Sequence, residues 1–366
     1  MPTVLVESSP ADSVGSGRIH ECKIFKGSDD PHPDNQWEGC MSIAVVIPCF
    51  RVQKHILSVI EGVLDHVDAV YVVDDNCPDK TGEFVRQHSR HPKVTVLKHE
   101  VNQGVGGAVL TGYQAAAADG HTILVKMDGD DQMDPNYLPA LIAPILSGNA
   151  DYTKGNRFFS SNHLLQMPAL RLFGNAGLSF INKAASGYWD IMDPTNGYTA
   201  LHSKLLPLLP LDEINRRYFF ESDMLFRLGA VRAVVRDVPI PARYGDEVSH
   251  LNIPGVLTAF PRLYLARFFK RIWYSYFLRD LNVGSIQLVL GLLLMVSGVV
   301  FGGVEWFKAA SANKPVTSGT VMLAALPIIM GFQLWLSAII FDVGNVPREP
   351  LHPQLPTHPV RPGLMQ

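Results

Sequence analysis

An open, doubly wound α/β sheet followed by a pair of membrane-spanning helices is the fold predicted by three features of the 366-residue chain. From about residue 42 to 245, short apolar runs of β type alternate with helical patterns, the signature of a layered α/β domain. Near the carboxyl end, Val283–Phe301 and Thr320–Phe341 contain no charged residue. Between these regions lies a segment crowded with aromatic rings and bases.

Composition agrees. Hydrophobic residues make up 47% of the chain and charged residues 18%, whereas soluble domains carry roughly 25% charge. Mean hydropathy is +0.11. This balance excludes disorder of the whole chain and argues against a wholly soluble protein. A net charge of -3 gives no electrostatic footprint for nucleic acid. Cys22, Cys40, Cys49 and Cys77 lack ligand-like spacing. They read as free thiols of a reducing compartment, with neither a disulfide framework nor a zinc site.

Taken in order, residues 1–40 mix Pro, Ser, Gly, Asp and His without the apolar core of a signal peptide, and read as an arm. The catalytic candidate spans 41–250. Its strand candidates are Ile43–Ile47, Ala69–Val73, Val94–Leu97 and Ile123–Met127. The first, second and fourth are nearly all apolar, as suits a sheet covered on both faces. Between the first two, Ile56, Val59, Ile60, Val63, Leu64 and Val67 recur at helical spacing. A second helical stretch, about 106–119, leads into the fourth strand. Residues 251–282 combine rings such as Phe268, Trp273 and Tyr276 with Arg262, Arg267, Lys270, Arg271 and Arg279. That mixture suits helices lying at a membrane surface with bases toward headgroups.

The two uncharged stretches, about 19 and 22 residues long, each span about 28 Å or more at 1.5 Å per residue. They make 283–341 a transmembrane hairpin, with Gly302–Gly319 as its loop. The bases before the first span should stay cytoplasmic, so 342–366 returns to the same side as a cytoplasmic tail.

Two acidic strand ends carry the chemistry. Met127-Asp128-Gly129-Asp130-Asp131-Gln132 follows the fourth strand candidate. Asp128 and Asp130 can both reach a cation across Gly129, and oxygen ligands select Mg²⁺ or Mn²⁺, with Gln132 as a neutral addition. The same run also reads as an acidic turn before a helix starting at Asp134-Pro135. Asp74-Asp75 ends the second strand, where carboxylates can accept hydrogen bonds from a nucleobase or ribose. Asn102-Gln103-Gly104-Val105-Gly106-Gly107-Ala108 opens a helix, where glycines permit close approach and the helix start favours anions. Further along come Gly155-Asn156-Arg157, Arg171, Asp193-Pro194-Thr195-Asn196-Gly197-Tyr198, Glu221-Ser222-Asp223 and Arg243-Tyr244-Gly245. Singly, each also reads as an ordinary polar group facing solvent.

In this order the motifs resemble glycosyltransferase family 2: Val45-Val46-Ile47-Pro48, Val72-Val73-Asp74-Asp75, Asn102-Gln103-Gly104, then Asp128-x-Asp130-x-Gln132. Gly155-x-Arg157, Asp193-x-x-Asn196-Gly197-Tyr198 and the two-span anchor resemble its polyprenyl-phosphate (dolichol-phosphate type) sugar synthases. The resemblance implies a GT-A type α/β fold that binds a UDP- or GDP-sugar. It places Pro48, Asp74, Asp75, Asn102, Gly104, Asp128 and Arg243 at the nucleotide sugar. It places Asp128, Asp130 and Gln132 at the metal, and Arg157, Arg171 and Asn175 at the lipid phosphate. It also permits a homo-oligomer. Two departures stand out: Cys49-Phe50-Arg51-Val52 replaces the usual aromatic-Asn-Glu, and the distal Ser-Lys element reads Ser249-His250.

The implied reaction is inverting transfer of a hexose to a polyprenyl phosphate held in the bilayer. The acceptor phosphate is already anionic, so no dedicated base is needed. Transfer to a lipid hydroxyl is the alternative, with Glu221 or Asp223 as base. A non-catalytic membrane scaffold is the second alternative.

Overall fold

The computed structural model describes residues 41–159, 169–241 and 253–356. Expectations resting on residues 1–40, on Arg243, on Ser249-His250 or beyond 356 lie outside the described residues, as do the side chains of Arg171 and Asn175.

Strand β1 (Ile43–Cys49) shows why a two-faced sheet forms. Ala44 and Val46 enter one core, Val45 and Ile47 the other, following the two-residue period of the pleat. Strands β2 (Ala69–Asp74) and β4 (Ile123–Lys126) flank it in parallel, and β3 (Val94–Lys98) pairs with β2 at the edge. These are the strands expected from the apolar runs. Three further strands, β5 (Tyr152–Asn156), β6 (Thr199–His202) and β7 (Val235–Pro239), complete the order β3-β2-β1-β4-β6-β5-β7. Strands β5 and β6 lack such runs because they bury polar groups, among them Thr153, Lys154, Asn156 and Thr199, and β7 because it is half-exposed. Strand β6 is antiparallel to both β4 and β5, so the sheet is mixed.

Helices cover both faces. The eight residues of α1 (Ile56–Val63) bury Ile56, Val59, Ile60 and Val63. Each such side chain contributes roughly 2 kcal/mol, which holds in place a helix too short to persist alone. With α1 packs α4 (Leu138–Leu146). Helix α2 (Thr81–His88) joins β2 to β3, while α3 (Val105–Ala118) and α6 (Phe220–Val231) share the opposite core. The chain moves outward in opposite directions from β1 and β4. Their carboxyl ends therefore open onto the crevice where such sheets take ligands.

Over this crevice lie α5 (Ala169–Ser186) and α7 (Ile253–Trp273). Two of the bases expected to face headgroups are taken up inside the protein, Arg267 with buried Asp223 and Arg271 with Asp342, each at 2.6 Å, whereas Lys270 pairs with Glu213 at 3.3 Å on the surface. Beyond a π-helical turn at Tyr274–Leu278 come α8 (Val283–Ser311, 29 residues) and α9 (Ser318–Gly344, 27 residues). Both are long and apolar enough to cross a membrane. Only 22% and 11% of their apolar windows are buried, so they do not form the core of a globule. The expected loop at 302–319 is shorter, because α8 continues past Glu305 and Lys308. The two helices meet closely where Gly291 faces the Gly331 backbone, as small residues allow between membrane helices.

The segment after α9 returns to the sheet. Val346 and Leu351 join its core, and the backbone N–H groups of Leu351 and His352 donate to Asp151 at 2.8–2.9 Å. His352 also stacks on His202 with ring centroids 4.4 Å apart.

Candidate active site

Asp74 is 1% exposed, and both its oxygens are committed to the protein. Oδ1 accepts from the Cys77 N–H and Oδ2 from the Gly82 N–H, each at 2.7 Å. It anchors the turn into α2 and faces away from the crevice. Asp75 instead reaches the crevice while bracing the next loop. Its Oδ1 accepts from Gln103 N–H at 2.8 Å and its Oδ2 from Gly104 N–H at 2.7 Å. His99 Nδ1 is hydrogen-bonded to Oδ1 at 2.7 Å, and Asn102 donates to the Asp75 carbonyl at 3.0 Å. Gly104 has φ +88° and its Cα faces the Arg216 carbonyl, so no side chain fits there.

At the end of β4 the arrangement is different. Lys126, 1% exposed, bridges Asp128 Oδ1 at 2.8 Å and Glu221 Oε1 at 3.0 Å. Burial alone would lower its pKa, but the two carboxylates outweigh that and hold it above the ordinary lysine range. The other oxygen, Asp128 Oδ2, is kept accessible by Gly197: a Cβ there would come within 2.5 Å of it. Asp130 accepts from the Gln132 N–H at 3.2 Å, and Asp134 caps the following turn through Asn136. The run thus supplies both two carboxylates on the cavity wall and a helix start.

These groups line one cavity of about 1250 Å³, larger than the roughly 300–1,000 Å³ of a site for one small ligand. Its polar end holds Asp75, Asn102, Lys126, Asp128, Asp130 and Glu221, with Pro48 and Gly104 beside them. Its apolar end is built from Leu178 and Ile181 of α5 and Phe260 and Tyr264 of α7. Tyr264 is fixed by Ser222 at 2.7 Å.

The structure does not bring every expected residue here. Asp74 and Gln132 are absent from the wall. Arg157 lies at the end of β5, with Nε and Nη2 donating to buried Asp193 at 2.7 and 3.0 Å. Position 171 falls one turn before the cavity-lining Gly174 on the same face of α5. Asp223, offered as a possible base, is 0% exposed and held by Arg267 and the Asn215 N–H. It cannot take a proton from an acceptor, which leaves Glu221 alone in that role.

Three wall or support residues escaped the sequence: Lys126, His99 and Arg217. Lys126 had a signal, a lone charge inside an otherwise apolar strand. Such a charge must be paired when buried. Lys154, buried beside the Asn196 carbonyl, is of the same kind, and burial pushes its pKa down to about 8.

Among the described residues, no three or more His, Cys, Asp or Glu side chains cluster as a metal cage. Asp128 and Asp130, both on the cavity wall, still fit Mg²⁺ or Mn²⁺. Such ions commonly take one or two carboxylates and complete their shell with water and substrate phosphate.

Comparison with known proteins places the chain. The model described as "Glycosyl transferase family 2" matches residues 44–207. UDP-N-acetylglucosamine–dolichyl-phosphate N-acetylglucosaminyltransferase of Methanococcus voltae is 29% identical over 236 residues, 61% of this chain and 93% of that protein. Undecaprenyl-phosphate mannosyltransferase of Micrococcus luteus is 29% identical over 204 residues, 55% of this chain and 83% of that protein. Among solved structures, glucosyl-3-phosphoglycerate synthase of Mycobacterium tuberculosis is 21% identical, covering 63% of this chain and 80% of that one at a TM-score of 0.45.

Proposed function

Because the chain belongs to glycosyltransferase family 2, we propose that it moves a hexosyl group from a nucleotide diphosphate sugar to the phosphate of a polyprenyl phosphate. The observation that carries this reading is the two-ended cavity. One end presents carboxylates, the other apolar side chains on the helices that lead to the membrane hairpin. Its volume accommodates a donor and an acceptor headgroup together. The Methanococcus and Micrococcus relatives are named for transfer to dolichyl and undecaprenyl phosphate, which supports the acceptor class. A scaffold without chemistry has no use for a carboxylate kept accessible by a glycine, as Asp128 Oδ2 is by Gly197.

At the donor end, Asp75 and Asn102 would hold the nucleoside. Asp75 Oδ2 has one hydrogen-bond donor, so it retains a lone pair for a base N–H. Asp128 and Asp130 would hold Mg²⁺ or Mn²⁺, which supplies positive charge to the leaving diphosphate. Lys126 keeps Asp128 from swinging away and neutralises Glu221. Arg217, on the same wall, would add a cation near the phosphates.

At the acceptor end, Arg157 and Arg171 would orient the lipid phosphate. Asp193 already aligns the Arg157 guanidinium through two parallel hydrogen bonds, and planar guanidinium groups suit phosphate oxygens. The phosphate oxygen attacks the anomeric carbon opposite the departing diphosphate, so the configuration inverts. No protein base enters. The bases preceding the first span support a catalytic domain on the cytoplasmic face.

The full-length enzyme, given polyprenyl phosphate, UDP- or GDP-sugars and Mg²⁺ or Mn²⁺, should form a sugar-phosphate-linked lipid. One observation favours a second reading: Glu221 lies in the cavity wall, where a base for a hydroxyl would sit. Sugar transfer to hydroxyl lipids alone would decide for it.

A further inference from the structure

The carboxylate that ends the membrane hairpin is tied to the walls of the cavity. Asp342, in the last turns of α9, accepts from Arg271 on both oxygens: Nη1 to Oδ1 at 2.6 Å and Nη2 to Oδ2 at 3.0 Å. Tyr276 Oη donates to Oδ1 at 2.6 Å and Trp189 Nε1 to Oδ2 at 2.8 Å. Arg271 carries the linkage further, its Nε donating to the Ala184 carbonyl at 3.0 Å. Side chains in this pair are only 7% and 12% exposed, so water screens it far less than a surface ion pair.

The placement of these contacts is informative. Ala184 closes α5 and Arg271 closes α7. The same two helices supply Leu178, Ile181, Phe260 and Tyr264, the apolar end of the cavity. The polar-end residues are held elsewhere: most hang on the ends of β1, β2 and β4 and on the loop braced by Asp75, and Glu221 opens α6. The apolar side of the cavity is therefore tied to the hairpin as well as to α6 through Arg267–Asp223 and Tyr264–Ser222, whereas the polar side hangs mainly on the sheet.

We propose that Asp342 is a positioning residue for the lipid acceptor. By fixing the far ends of α5 and α7 to the hairpin, it sets the apolar wall at a constant height above the bilayer. The isoprenoid chain then enters that wall with its phosphate level with the donor sugar. This inference rests on the polyprenyl-phosphate reading. A brace that served only folding would move donor and acceptor parameters together, whereas this one moves the acceptor alone.

The test uses full-length enzyme in phospholipid nanodiscs with a long-chain polyprenyl phosphate. Asp342→Asn should raise the acceptor KM by about tenfold, with nucleotide-metal affinity unchanged within about twofold. Asp342→Glu should recover part of the loss. Trp189→Phe and Tyr276→Phe each remove one hydrogen bond, and they should shift acceptor KM in the same direction by about threefold. These milder variants decide the matter should Asp342→Asn not fold. An unchanged acceptor KM across the folded variants overturns the proposal, as does an equal fall in donor affinity. If the unaltered enzyme uses no polyprenyl phosphate at all, the acceptor reading itself fails, and that outcome is separate because it is seen without any substitution.

Discussion

The two acidic strand ends look alike in sequence, and the fold treats them differently. At the end of β2, Asp74 serves only the protein, and Asp75 braces the next loop with both oxygens while lining the cavity. At the end of β4, Asp128 and Asp130 face the cavity, with a buried lysine drawing on one Asp128 oxygen. A carboxylate that accepts backbone N–H groups holds the chain. A carboxylate left open to a cavity is available to ligands. Adjacent aspartates therefore divide into structural and chemical roles by what their neighbours donate.

The largest effect should come at β4. Asp130→Ala should lower transfer on the order of a hundredfold or more while the melting temperature stays within about 2 °C. Added Mn²⁺ should raise the melting temperature of the unaltered enzyme but not of this variant, and persistent stabilisation would break the contrast. Lys126→Met tests the link between the two roles. It leaves Asp128 and Glu221 without their shared counter-charge and should reduce unfolding free energy by about 3 kcal/mol, read by denaturant titration. Asp74→Ala should act on stability alone, by about 2 kcal/mol, since it orphans two buried N–H groups. Donor affinity of the folded fraction should hold within about threefold. The smallest effect belongs to Glu221→Gln, where transfer to a lipid phosphate should change by about threefold. A loss beyond about a hundredfold would instead mark a general base.

How much of this was legible depended on the kind of signal. Apolar runs marked β1, β2 and β4 because those strands are buried on both faces, whereas β5 and β6 bury polar groups and β7 is short and half-exposed, so they carried no such mark. The aspartate pair at β4 was readable from its position after a strand. That Asp74 would turn inward was not, because its partners, the N–H groups of Cys77 and Gly82, belong to a turn whose path the residue types leave open. Bases near the membrane looked solvent-facing, yet Arg267 and Arg271 pair with Asp223 and Asp342 from elements far away in sequence. Such long-range pairing has no local trace.

The return of the chain after α9 has a consequence for biogenesis. Leu351 and His352 satisfy Asp151 at the start of β5, and Lys204 donates to the Leu355 carbonyl at 2.9 Å. The far edge of the sheet is thus completed by residues synthesised after both long helices. During translation the soluble half must wait, partly unfinished, until the ribosome has delivered the hairpin. A limited-proteolysis time course on stalled nascent chains should show that edge becoming protected only once residue 355 has emerged.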